Sequence, residues 1–285
     1  MPSWTHLVRF VAFEDNEVHL GQLVDPTRDV GLDFINEIPI YAFEIKGSVY
    51  QGQVTRKSLQ VRKLLSPIAP EDCPYIRCIG LNYKLHAKEA GMAIPPVPAL
   101  FTKPRTAINN SYPDTINIAK FAQDGTSDYE AELVVLIGKA ARDITAEEVP
   151  EYILGYTAAN DVSARDTQMK TPMPCFSKGM DSSCPLGPVL VSPTIISDPQ
   201  DLGISAIHNG KKLQDGHTSD MIFGVCELVA YLSRGTTLEA GSIILTGTPP
   251  GIGYFRSPRV FLDDGDDIRV HIEKIGTLIN KVHYE

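Results

Sequence analysis

Beyond Cys73 the succession of apolar and polar positions is mainly that of β-strands, broken by turns marked with Gly and Pro. Ile268, Val270 and Ile272 alternate with Arg269, His271 and Glu273, as a half-exposed strand requires. Leu133 to Ile137, closed by Gly138, is an unbroken apolar run, and Ser242 to Thr246 holds a shorter one; both suit buried strands. Asn209-Gly210 is a hairpin signal, with His208 flanking the turn. Nearer the N-terminus, Leu7 to Phe13 and Val18 to Val24 read as two strands joined by Glu14-Asp15-Asn16-Glu17.

Helical periodicity is rarer. Between Met221 and Leu232, Ile222, Val225, Cys226 and Val229 recur at i, i+3, i+4 and i+7. Ser219 is placed to cap that helix, Asp220 suits its positive end, and Gly235 sits past its close. Lys57 to Leu65 is expected to form a short helix before Ser66-Pro67-Ile68-Ala69-Pro70. That Pro-rich stretch marks the expected boundary between a small N-terminal domain, residues 1–70, and a larger one, residues 71–285. The expected class is α+β, mainly β.

Bulk properties narrow the function without choosing it. At 43% apolar and 21% charged residues, the 285-residue chain has an ordinary globular composition. A formal charge of −9 argues against nucleic acid and against an anionic membrane surface. No apolar run approaches the length that spans a bilayer. The first ten residues hold neither a signal-peptide core nor an Arg-rich presequence, and Glu14, Asp15 and Glu17 follow closely. A cytoplasmic location is expected, with a mitochondrial one left open. The five cysteines are odd in number and form no Cys-x-x-Cys pattern, so reduced, mostly buried thiols are expected.

The chemistry concentrates around the apolar run at Leu133. Asp128-Tyr129-Glu130-Ala131-Glu132 precedes it, and Asn160-Asp161-Val162-Ser163-Ala164-Arg165-Asp166 lies within thirty-odd residues. On a strand, Glu130 and Glu132 point to the same face. Two like charges there repel and are costly to desolvate, and a cation is the simplest remedy. Carboxylates with no His or Cys nearby suit Mg²⁺, Mn²⁺ or Ca²⁺ rather than zinc. The same residues also fit the start of an exposed acidic strand. Separately, His86 and Glu89 stand at i and i+3 on one helical turn, where a carboxylate raises and orients an imidazole's basicity. A solvated surface pair is the plainer reading of that spacing.

Taken in order, Gly80-Leu81-Asn82-Tyr83 with His86 and Glu89, Phe101-Thr102-Lys103-Pro104, Asp128-Tyr129-Glu130-x-Glu132-Leu133, Asn160-Asp161-Val162-Ser163-x-Arg165-Asp166, Lys178, Asn209-Gly210, Thr246-Gly247-Thr248-Pro249 and Gly265-Asp266 resemble the fumarylacetoacetate hydrolase superfamily. Within it the chain is similar to the short branch of acylpyruvases, oxaloacetate decarboxylases and oxaloacetate tautomerases. The resemblance implies a mixed β-roll with a small N-terminal α/β domain, and a homodimer. It implies a divalent ion, Mg²⁺ with Mn²⁺ or Ca²⁺ as alternatives, held by Glu130, Glu132 and Asp161. It implies catalytic roles for His86 and Glu89 on a lid and for Lys178, and substrate contacts from Gln168, Thr246, Gly247 and Thr248. Arg165 and Asp166 read as a salt-bridged scaffold.

The implied substrate is a small 2-oxo acid or β-dicarbonyl, handled through its enolate. Carbon–carbon bond hydrolysis is the expected reaction, with oxaloacetate tautomerisation or decarboxylation as the alternative. Ser177-Lys178-Gly179 and Pro172-Met173-Pro174 depart from many relatives, which puts the pocket wall and substrate identity in doubt. A non-catalytic Ca²⁺-binding β module is a remote reading that leaves Lys178 and the His86-Glu89 pair without purpose. A fold that leaves Glu130, Glu132 and Asp161 far apart, or that crowds a cationic side chain into the gap between them, would end the case for an ion.

Overall fold

A computed structural model describes residues 2–285. The first four strands close on themselves. His6–Ala12 pairs antiparallel with both Val18–Leu23 and Gln53–Leu65, and Tyr41–Lys46 joins those two from the other side. The expected helix at Lys57 to Leu65 is therefore the second half of a thirteen-residue strand. Leu59 and Val61 are buried at i and i+2 while Lys57 and Arg62 stay out, and pairing on both edges overrides the local Leu-x-Val-x-x-Leu spacing.

This small roll is continuous with the main sheet, because His6 and Leu7 also pair with Val191 and Leu190. From there the order runs through Cys184–Val191, Ile153–Asn160, Ala131–Ile137, Ile243–Leu245, Ile76–Gly80 and Ala99–Lys103. Ala131–Ile137 and Ile153–Asn160 are buried along their whole length, which explains why the first reads as an unbroken apolar run. A five-stranded sheet packs against this one, in the order Lys211–His217, Gly203–His208, Asp267–Ile272, Gly276–Tyr284, Ile116–Ile118. Asn209 and Gly210, at φ 47° and 77°, make the tight turn of its hairpin.

The expected C-terminal helix exists but starts later, at Val225–Ser233, with Gly224 at its N-cap. Ser219 does not cap it; Thr218–Asp220 forms a separate 3₁₀ turn. The N-terminal helix Val30–Ile35 is tied to the far end of the chain. Asp29 caps it by accepting from Leu32 N and also takes Thr277 N (3.0 Å) and Thr277 Oγ1 (2.6 Å). Gly31 lies so close to Thr277 that an added Cβ would stand 1.7 Å from its carbonyl oxygen. The fold is α+β and mainly β, as expected. Among the described residues no helix is long and apolar enough to cross a membrane.

Candidate active site

The two central strands bring the acids together. Ala131 pairs with Asn160, so Glu130 and Asp161 leave neighbouring strand ends, and Asp161 N donates to Glu130 O at 2.9 Å. One ligand oxygen each from Glu130, Glu132 and Asp161 lies within 4.8 Å of the other two, and all three side chains are buried.

Each carboxylate is anchored through one oxygen. Arg165 Nη2 lies 2.7 Å from Glu130 Oε1, and Lys103 Nζ lies 2.8 Å from Asp161 Oδ1. Gly247 N donates to Glu132 Oε2 at 2.7 Å. Both ion pairs are close without being aligned as hydrogen bonds, so Asp161 Oδ1 and Arg165 Nη2 keep unmet bonding capacity. The second oxygens of Glu130 and Asp161 meet Lys178 Nζ, each at 2.7 Å. The second oxygen of Glu132 takes no hydrogen bond from the described residues.

The charges here do not cancel. Asp128, Glu130, Glu132 and Asp161 are four buried carboxylates, against three buried cations, Lys103, Arg165 and Lys178. Glu132 carries the surplus: burial, then repulsion from Asp161 and Glu130, push its carboxyl well above the usual range. Burial would raise Glu130 too, but Lys178 and Arg165 overcome it and hold that carboxyl low. Burial works against the Lys178 charge, and Asp161 and Glu130 more than restore it.

An all-oxygen donor set that, fully ionised, would hold one more negative charge than its cations, with one open oxygen on Glu132, fits a hard divalent cation. Lys178, expected to face the substrate, instead sits in that gap and touches two of the three acids, which is the arrangement expected to end the case for an ion. It does not neutralise Glu132, however. In that position the ammonium also lies over the Phe101 ring, 5.2 Å from its centre.

Two supporting residues were not singled out from the sequence. Lys103 stands behind Asp161 and donates to Ser183 O and Ser183 Oγ, both at 3.1 Å, and to Lys178 O. It fixes the strand end and the short helix Cys175–Lys178 together. Only its place in Phe101-Thr102-Lys103-Pro104 hinted at a role. Asp128 accepts from Arg165 Nε (2.8 Å), Gly253 N (2.8 Å) and Tyr254 N (3.0 Å). Arg165 in turn donates from Nη1 to Gln168 Oε1 at 2.8 Å, which turns the Gln168 amide nitrogen outward. Arg165 is thus a scaffold; Asp166 is an exposed partner of Lys170 and plays no part in it.

His86 and Glu89 lie on the short helix Lys84–Glu89, pinned at both ends. Leu85 N donates to Asp220 Oδ2 (2.9 Å), and Gly251 N donates to both Glu89 oxygens (2.9 and 3.1 Å). Asp220 therefore serves this helix rather than the one expected from its own neighbourhood. His86 Nδ1 is 3.1 Å from Glu89 Oε2. An ionised carboxylate only accepts, so it favours the proton on Nδ1 and a free lone pair on Nε2.

A cavity of about 510 Å³ joins these parts. Glu130, Glu132, Arg165, Lys178, Gln168, Thr248 and His86 are among its polar lining. Phe101, Met92, Met173, Ile252 and Phe255 are among its apolar walls. Asp161 and Glu89 stand behind that surface. Thr246 and Gly247 do not reach it either, which corrects their expected contact with substrate. The Thr246 hydroxyl donates to Leu133 O (2.8 Å), and the Gly247 amide is spent on Glu132. Gly247, at φ +99° with Asn82 Cβ 2.8 Å from where its own Cβ would be, turns the chain there.

Comparison with known proteins gives the family. The fumarylacetoacetate (FAA) hydrolase C-terminal family matches residues 75–283. A caffeoylpyruvate hydrolase of Neonothopanus nambi is 41% identical, over 99% of this chain and 94% of its own length. An oxaloacetate tautomerase of Bacillus subtilis strain 168 is 43% identical, over 79% of this chain and 74% of its own. A crystal structure of 2-hydroxyhepta-2,4-diene-1,7-dioate isomerase from Mycobacterium marinum superposes with a TM-score of 0.81 at 32% identity, covering 99% of each chain. With a family match over most of its length and relatives this similar, the chain belongs to the fumarylacetoacetate hydrolase family.

Proposed function

We propose that this protein is a divalent-metal-dependent hydrolase that cleaves the carbon–carbon bond of an acylpyruvate carrying an apolar or aromatic acyl arm. The observation that carries this reading is the cavity's division into a charged floor and apolar walls. Its volume falls within the range of pockets for drug-sized ligands, roughly 300–1,000 Å³. A four-carbon diacid would engage the floor and leave the walls of Phe101, Met92, Met173 and Phe255 unused. Similarity to a caffeoylpyruvate hydrolase along nearly the whole chain supports the same choice.

In this reading Glu130, Glu132 and Asp161 would hold the ion, taken as Mg²⁺ with Mn²⁺ or Ca²⁺ as alternatives. Such an ion supplies a Lewis acid for the substrate's 2-oxo and carboxylate oxygens. Lys178 moves off the acids and pairs with substrate negative charge. Gln168, its nitrogen turned outward by Arg165, and Thr248 hold the substrate's polar end. His86 Nε2 takes a proton from water, and the water oxygen attacks the acyl carbonyl carbon. The carbon–carbon bond then breaks, its electron pair passing to the pyruvate fragment as an enolate that reprotonates; the products are a carboxylic acid and pyruvate. General-base assistance of this kind contributes about 10²–10⁴ in rate. The reading includes a cytoplasmic setting and a homodimer, the latter supported by exposed Ile94, Val97, Phe121 and Phe176. It also treats residues 1–70 as a small domain attached to a catalytic one, residues 71–285.

Oxaloacetate tautomerisation is the second reading, favoured by 43% identity to a tautomerase. The test is to incubate the Mg²⁺-loaded protein with cinnamoylpyruvate and, separately, with oxaloacetate. Paired acids from the first support the proposal. Loss of enol absorbance from oxaloacetate without CO₂ or new acids, and no cleavage of cinnamoylpyruvate, replaces it with the second reading.

A further inference from the structure

We propose that Gln214, a residue outside the catalytic sheet, is a positioning residue that makes the Thr248 hydroxyl an obligatory donor to an anionic oxygen of the substrate. Gln214 is fully buried on the Lys211–His217 strand of the five-stranded sheet. Its Oε1 accepts from Ala131 N at 2.9 Å. Its Nε2 donates to Thr248 Oγ1 and to Pro249 O, each at 2.8 Å.

The direction of these bonds is fixed by chemistry. A backbone N–H only donates and a backbone carbonyl only accepts, so Ala131 and Pro249 leave one orientation for the amide. Both amide hydrogens are then committed, one of them to Thr248 Oγ1. That hydroxyl must accept from Gln214, and its own hydrogen finds no acceptor among the described residues. Thr248 lines the cavity while 96% of its surface is covered, so the unspent hydrogen is directed at the cavity's contents. Thr246, two residues earlier, shows the contrast: its hydroxyl is consumed by Leu133 O.

A buried donor without a partner is costly and selects for a ligand that accepts. Beside Lys178 and the outward nitrogen of Gln168, it favours a carboxylate oxygen over a neutral group. The same amide clamps Ala131, between Glu130 and Glu132, so one side chain sets the height of the Thr248 donor above the acidic floor. The inference rests on the proposed function for the identity of the substrate, but not for the direction of the bond.

The test is a double-mutant cycle on the Mg²⁺-loaded full chain with Gln214→Met, Thr248→Val and the pair, using cinnamoylpyruvate and its methyl ester. Hydrogen bonds to charged groups contribute about 1.5–3 kcal/mol, or roughly 10–150-fold. Thr248→Val should therefore raise KM for the acid at least tenfold. Gln214→Met should raise it severalfold in the wild-type background and not at all on top of Thr248→Val. The ester should respond far less. Additive effects, or equal losses for acid and ester, would mean that Gln214 serves only the fold, and would overturn the proposal. If Gln214→Met does not fold, a crystal structure of the unaltered protein with Mg²⁺ and oxalate decides instead. Thr248 Oγ1 should then keep Gln214 and also reach an oxalate oxygen at about 2.7 Å; an oxalate bound elsewhere, or a Thr248 turned away, refutes it. If the wild-type chain cleaves no acylpyruvate, the functional reading falls while the oxalate complex still tests the donor.

Discussion

Replacing Asp128 by Asn keeps the side chain's shape and removes one charge from the most heavily used carboxylate of the site. In the native arrangement its oxygens accept from Arg165 Nε, Gly253 N and Tyr254 N at 2.8–3.0 Å, besides Tyr129 N at 2.9 Å. An amide offers one accepting atom and places two hydrogens where donors already stand. Whichever way it turns, Gly253 N or the Arg165–Tyr254 pair loses its acceptor. Breaking a buried ion pair from one side costs about 3–5 kcal/mol, and Arg165 keeps only Glu130 as a charged partner. For a chain of this size each kcal/mol lowers Tm by about 2–4 °C, so a fall of roughly 6–20 °C is expected in thermal unfolding. Turnover should fall as well, because Tyr254 and Phe255 form part of the cavity wall. Asp166→Asn, which breaks an exposed pair with Lys170, is the matched control and should cost no more than about 1 kcal/mol. Equal and small losses from both variants would refute the claim that Asp128 ties the wall loop to the acidic strand.

Gly31→Ala puts a methyl group 1.7 Å from Thr277 O, so it should destabilise by more than a surface Gly→Ala change and lower the urea midpoint; an unchanged midpoint would show that the helix docks elsewhere. Burial raises the Asp29 carboxyl, but hydrogen bonds from His271, Thr277 and Leu32 outweigh it and leave it below its ordinary 3.8. Its contribution to stability is therefore complete above that value and lost as pH falls through the lower, folded one. Relative to Asp29→Asn, the native protein should lose its advantage only below about pH 4, read from denaturation midpoints across the acid range. His86→Ala should leave Mg²⁺ affinity near its native value by calorimetry while slowing turnover about 10²–10⁴-fold; unchanged turnover would remove the imidazole from the reaction.

What the sequence discloses depends on whether a residue acts through its neighbours in the chain or across the fold. The meeting of Glu130, Glu132 and Asp161 was legible, because strand alternation and one hairpin-like return suffice to join them. The His86-Glu89 turn was legible for the same local reason. Lys103 and Gln214 were not, since their partners lie 58 to 80 and 34 to 83 residues away. Thr246 and Thr248 look equivalent in Thr246-Gly247-Thr248, and only the turn at Gly247 sends one hydroxyl into the sheet and the other to the cavity. Lys57 to Leu65 carries a spacing compatible with a helix, and its strand form depends on partners at Phe10 and Phe43. Asp220 looks like a helix-start residue and is one, for a helix 135 positions earlier.

The clasp between Asp29 and Thr277 spans 248 residues, so the Val30–Ile35 helix cannot finish docking until Thr277 has been synthesised. On a ribosome adding about 5–20 residues per second, the Val30–Ile35 segment waits at least ten seconds or so for its counterpart. During that interval its apolar face lies bare, and a nascent chain stalled before Gly276 should recruit holdase chaperones that the released protein no longer needs.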